Sequence, residues 1–178
     1  VSKAKSELLS EDAGIMMEAV SSEFNVRFFF TSNSLLDYFL SSPEAFIPLS
    51  KPFTPDHIVY AGAWPLYLDQ STARNIKHIE SSIHGYISDH DELPKIIAIQ
   101  GIGVVGLGKD HKAAERACLL FQDAAKIAWY AQSFGGVHPM EQKDADFIRG
   151  WEVEKFRSGV AASGLTTPSS ESAPILKK

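Results

Sequence analysis

Lys95-Ile96-Ile97-Ala98-Ile99-Gln100-Gly101-Ile102-Gly103-Val104-Val105-Gly106-Leu107-Gly108-Lys109-Asp110 is the stretch on which the fold turns. Its first part is a short, unbroken, β-branched apolar run, the pattern of a strand covered on both faces. Val104-Val105-Gly106-Leu107 continues that strand or returns as its hairpin partner, and glycines at 101, 103, 106 and 108 permit close backbone approach. Asp110 then caps the longest helix. Ala113, Ala117, Phe121, Ala124 and Ala128 define one face of that helix, while Lys112, Arg116 and Asp123 lie off it. A buried strand beside a long amphipathic helix predicts an α/β domain.

Working upstream, Ser71 to Ser88 carries Ala73, Ile76, Ile79, Ile83 and Ile87 three or four apart, which predicts a helix. Pro65-Leu66-Tyr67-Leu68 reads as a short extended piece. Ile58-Val59-Tyr60-Ala61, β-branched and ended by Gly62, reads as a strand fed by the loop Pro52 to His57. Val26 to Phe30 predicts an aromatic strand. Thr31 to Ser34 then supplies a turn and an N-cap for a helix over 35–40, and Pro43 opens another short helix. Leu8, Leu9, Ala13, Met16 and Val20 predict an amphipathic helix over 5–22.

Downstream, Gly135-Gly136 ends the long helix. A short helix is expected over 141–148 and another from Trp151 to Val160. Residues 162–178 are rich in Ser, Thr and Pro and poor in apolar groups, so a disordered tail is expected after a single domain spanning 1–161.

A chain of 178 residues with 44% hydrophobic content can build one ordinary core. Its net charge of −5 argues against nucleic acid or an anionic membrane as partner, because both select clustered Lys and Arg. No apolar run reaches the roughly 18–20 residues of a membrane span. Glu7, Glu11 and Asp12 stand where a signal peptide needs an apolar centre, so a cytoplasmic location is expected. The single cysteine, Cys118, lies among Ala and Leu and reads as a core residue. The opening residue, Val1, raises the expectation of a processed or excised fragment.

Chemistry is sparse at the level of motifs. Gly101-Ile102-Gly103-Val104-Val105-Gly106 has the glycine spacing of the dinucleotide fingerprint, but there the helix begins inside the motif. Here Val104 to Leu107 reads as extended and the helix starts near Asp110, whose carboxylate repels phosphate. The six histidines form no His-x-His or His-x-x-x-His pair. His57 follows Asp56 at a loop-strand junction, where a carboxylate can orient an imidazole. Asp89 to Glu92 reads as a solvated acidic turn without a calcium-loop pattern.

Three segments gain meaning as an ordered set: Thr54-Pro55-Asp56-His57-Ile58-Val59-Tyr60 with Pro65-Leu66; Ile96 through Asp110 with Ala113 and Ala114; and Trp151-Glu152-Val153-Glu154-Lys155-Phe156-Arg157. Over roughly 34–160 the chain resembles the C-terminal region of class II aldolase/adducin proteins, especially longer members related to rhamnulose-1-phosphate aldolase/dehydrogenase. The resemblance implies a central mixed sheet flanked by helices, homo-oligomers, and zinc-dependent retro-aldol cleavage of sugar phosphates in carbohydrate metabolism. In such proteins the metal is held by a His-x-His pair and by a later His followed by Gly at a strand end. This sequence has no His-x-His, and Gln100 stands before Gly101 at the corresponding strand end.

No catalytic residue and no metal ligand is therefore assigned, and no cofactor is expected on this chain alone. Asp56, His57, Gln100, Gly101 and Gly103 are the substrate-proximal candidates. The leading expectation is an aldolase-like domain that supports an upstream catalytic domain or a partner chain. Its competitors are a non-catalytic, adducin-like assembly module and a nucleotide-binding enzyme using the glycine run 101–108.

Overall fold

The computed structural model describes residues 20–150 apart from Ser22. Most of the expected helix at 5–22, the helix at 151–160 and the tail at 162–178 lie outside the described residues. The sheet is four-stranded and mixed: β1 (Arg27–Thr31), β2 (Leu66–Leu68), β3 (Ile96–Ile99) and β4 (Gly103–Gly108) lie in the order β1-β4-β3-β2. Of the two arrangements open to 104–107, β4 takes the hairpin with β3, with Ile96 opposite Gly106 and Ile99 opposite Gly103. β1 adds antiparallel to β4 and β2 adds parallel to β3. The fold is thus α/β, with helices on both faces of the sheet.

Alternation along β3 sends Ile96 and Ala98 to one face and Ile97 and Ile99 to the other, and all four are buried. On the first face lie α1 (Ser34–Phe39), α2 (Pro43–Phe46) and α4 (His111–Ala131), which contribute Leu36, Phe39, Phe46, Ala117, Cys118 and Phe121. On the second lies α3 (Ile76–His90), through Ile79 and Ile83. Asp110 caps α4 as its position predicts, its carboxylate accepting the Ala113 N–H at 2.7 Å. Burial pushes the Cys118 thiol up to about 12, which makes it an inert core group.

Gly106 and Gly108 explain why α4 lies so close. A Cβ on Gly106 would overlap the Ala114 carbonyl oxygen and come within 2.9 Å of Cys118 Sγ; one on Gly108 would stand 2.6 Å from the Ala114 nitrogen. The glycines of β4 are a seat for the helix backbone. Gly101 (φ +68) and Gly103 (φ +154) serve the turn between β3 and β4 instead.

Two expectations are corrected. His57–Ala61 is one turn of π-helix, not a strand. The Ile58 and Gly62 N–H groups donate to the Thr54 and Ile58 carbonyls, and Ile58, Val59 and Ala61 are buried although the segment pairs with none of the four strands described. Also, α3 begins after Asn75, which caps it, with a separate short 3-10 turn at Thr72–Arg74. The acidic turn closes α3: Asp91 adopts the left-handed conformation (φ +56), and Glu92 pairs with Arg149 at 3.2 Å. That arginine belongs to α5 (Gln142–Gly150), stacks on Trp64 at 4.6 Å and donates to the His90 carbonyl at 3.0 Å.

Candidate functional site

The residues singled out from sequence fall into two separate settings. His57 is 5% exposed, and its ring is oriented by the Phe53 N–H, which donates to Nδ1 at 3.4 Å. Asp56 is solvent-exposed. Burial holds the imidazole below its ordinary pKa against the upward pull of the Asp123 and Asp56 carboxylates. A small enclosure beside the ring is walled by Pro52, Leu49, Phe121 and Ala124. This is the setting of a neutral, packed histidine.

Gln100, Gly101 and Gly103 lie at the far end of β3. The Gln100 side chain is a bracket: its Nε2 donates to the Ser41 carbonyl at 3.1 Å, and its Oε1 accepts the Gln70 N–H at 3.2 Å. The Gly101 N–H donates to the Leu40 carbonyl at 2.9 Å. The turn after α1 and the loop after β2 are thereby fastened to the sheet end. Asp69 completes that loop by accepting from Ser71 and Thr72.

The resemblance implies a divalent metal at this strand end. A neutral amide is a poorer zinc ligand than imidazole, and both polar atoms of this one are engaged. Among the described residues no group of three or more His, Cys, Asp or Glu side chains is placed to hold an ion. The described residues do not fit the metal, and no chemical step is derived through it.

The opposite end of the sheet holds a cavity of about 460 Å³ that sequence reasoning missed. It opens where β3 begins and β4 ends. Val26, Val59, Leu93 and Leu107 supply apolar wall, with the Tyr60 ring beside them. Among the described residues, Lys95, Lys109, Lys112 and Arg116 bring four cationic side chains to it, against the acidic Glu92 and Asp110. Arg116 lies over the Tyr60 ring, 5.2 Å from its centroid. Lys95 donates to the Val59 carbonyl, and burial lowers its pKa. The chain signal for this site is limited to the spacing of Lys109, Lys112 and Arg116, three and four residues apart at the start of α4.

No family model matches this chain. It is similar to the uncharacterized oxidoreductase YuxG of Bacillus subtilis (strain 168), 22% identical over 127 residues. The match covers 60% of this chain and 18% of that protein, so the chain spans a small part of its relative's length. Among the described residues, no helix is long and apolar enough to cross a membrane.

Proposed function

We propose that this chain is the supporting, C-terminal aldolase-like part of a class II aldolase-related protein, working beside a catalytic region in the same polypeptide or in a partner chain. The observation that carries the reading is Gln100: the strand end where the family's chemistry requires a metal-binding imidazole is occupied by an amide that braces two loops. A retro-aldol cleavage leaves a carbanion-like enediolate, which needs a firmly held cation. The match to a limited part of a much longer relative supports a domain that works among others. In this reading an oxidoreductase activity such as the name of YuxG carries belongs to another region. The glycine run is a poor dinucleotide loop, because the α4 backbone already occupies the face that Gly106 and Gly108 leave open.

The test is to incubate the 178-residue chain with ketose 1-phosphates and zinc and to assay aldehyde release. No cleavage is expected from the chain alone, and cleavage is expected once the region preceding it in the parent gene is supplied. Turnover by the chain alone, abolished by a chelator, refutes the reading.

A second reading, an assembly module, draws on exposed aromatics at the end of α4. Tyr130 and Phe134 are 70% and 85% exposed, and Trp129 meets Tyr38 edge to face at 5.1 Å. Apolar surface of this kind favours contact between subunits. Sedimentation equilibrium is expected to show an oligomer that Tyr130→Asp with Phe134→Asp weakens; a monomer at all concentrations excludes this reading.

A further inference from the structure

The cavity at the start of β3 takes part in neither reading. It lies one strand-length from Gln100, roughly 13 Å for four residues at about 3.3 Å each, so it is a separate place on the molecule. Its volume of about 460 Å³ falls within the range of about 300–1,000 Å³ usual for small-molecule sites.

Its electrostatics are the reverse of the whole chain's. The chain carries a net charge of −5, yet here, among the described residues, cationic side chains outnumber acidic ones by four to two. Both acids are already engaged. Glu92 pairs with Arg149 at 3.2 Å, and Asp110 accepts the Ala113 N–H at 2.7 Å, a bond that engages an oxygen but leaves the charge, so the anion is met farther along α4 by Lys112 and Arg116. Three of the cations, Lys112, Arg116 and Lys95, keep capacity to spare: the Lys112 side chain is exposed, and Arg116 lies over the Tyr60 ring with its guanidinium edge available to donate. Lys95 has one carbonyl partner for three ammonium hydrogens, in a setting where burial already disfavours its charge. An anion entering here would be matched by charge-assisted hydrogen bonds and would relieve a desolvated ammonium.

The rest of the lining sets the other half of the ligand. Val26, Val59, Leu93 and Leu107 offer no hydrogen-bonding side chain, and Tyr60 presents an aromatic ring steadied by Arg116. From this we infer that the cavity is a binding site for a small organic anion, a phosphate monoester or a free carboxylate carrying a planar or apolar body, with the anion held by Lys112 and Arg116 and the body laid against Tyr60 and the apolar wall.

Calorimetry on the 178-residue chain with three probes tests this: phenyl phosphate, inorganic phosphate and benzyl alcohol. Phenyl phosphate is expected to bind about tenfold more tightly than either fragment, because it alone engages both halves. Amide NMR shifts should concentrate at Tyr60, Leu107, Gly108 and Lys112. Lys112→Glu, a change at an exposed position, is expected to weaken phenyl phosphate about tenfold while leaving the melting temperature in place. Lys112→Arg should retain binding. Equal affinity for phenyl phosphate and either fragment, shifts centred elsewhere, or unchanged binding in Lys112→Glu would each overturn the inference. So would an absence of binding to the unaltered chain.

Discussion

Tyr67 carries a buried hydroxyl that has no hydrogen-bond partner among the described residues. Its ring packs on Phe46 at 4.7 Å, so the aromatic body is well placed while the polar tip is not. Leaving such a group unpaired costs free energy that its removal recovers. Tyr67→Phe is therefore expected to raise stability by about 1 kcal/mol, read as a higher urea midpoint with an unchanged slope. Asp69 is the opposite case. The Ser71 hydroxyl and the Thr72 N–H, with the Ser71 N–H, hold its carboxyl down at about 2. A depressed carboxyl stabilises the fold above the ordinary carboxylate range and loses that contribution as pH falls toward its native value. Acid titration should thus show the unaltered chain losing stability between about pH 4 and pH 2 more steeply than Asp69→Asn. A parallel pair of curves would show that these bonds form equally well in the unfolded chain.

At the level of elements, glycine is the informative residue because the same change has opposite consequences in a helix and in a strand that seats one. Gly85 sits on the exposed face of α3, and a Cβ there would meet nothing within 4 Å. Gly85→Ala should stabilise by about 1 kcal/mol through helix propensity. Gly106→Ala must displace the α4 backbone at Ala114, which cannot rotate aside as a side chain does, and should cost about 3 kcal/mol or more. Thermal melts of the two variants should move in opposite directions. The elements around this contact were legible in the sequence because local and tertiary preferences agree there: Ile96–Ile99 is apolar on both faces and is buried on both, and Asp110 caps the helix that follows. At 58–61 they disagree. Ile58 and Val59 favour strands only insofar as they fit a half-buried surface, and here Ile58 finds that surface outside the sheet, against Ala145 and Ile148 of α5. A turn that closes through the Thr54 and Ile58 carbonyls satisfies the backbone instead.

Across the whole molecule, Arg149 links parts far apart in sequence. It joins α5 to Trp64, the His90 carbonyl and Glu92, with its side chain 28% exposed. Arg149→Ala is expected to cost about 1–2 kcal/mol of stability. It should also weaken phenyl phosphate binding, because Glu92 would then offset the cavity's positive charge. Such a network illustrates why the cavity was hidden in the sequence. Its walls come from Asn25, Val59, Glu92, Leu107 and Arg116, which share no spacing and meet only through the order in which the strands are laid down. Asp56 and His57, adjacent in sequence and apt in chemistry, turn out to have unlike environments, one in solvent and one in the core. The continuous run from β3 through β4 to α4 has one more implication, for kinetics. Hairpin and covering helix are neighbours along the chain, so the middle of the sheet closes over short loops, whereas the outer strands β1 and β2 must be recruited from afar. The centre is expected to assemble early, and alanine at position 106 should slow refolding in stopped-flow experiments more than it hastens unfolding.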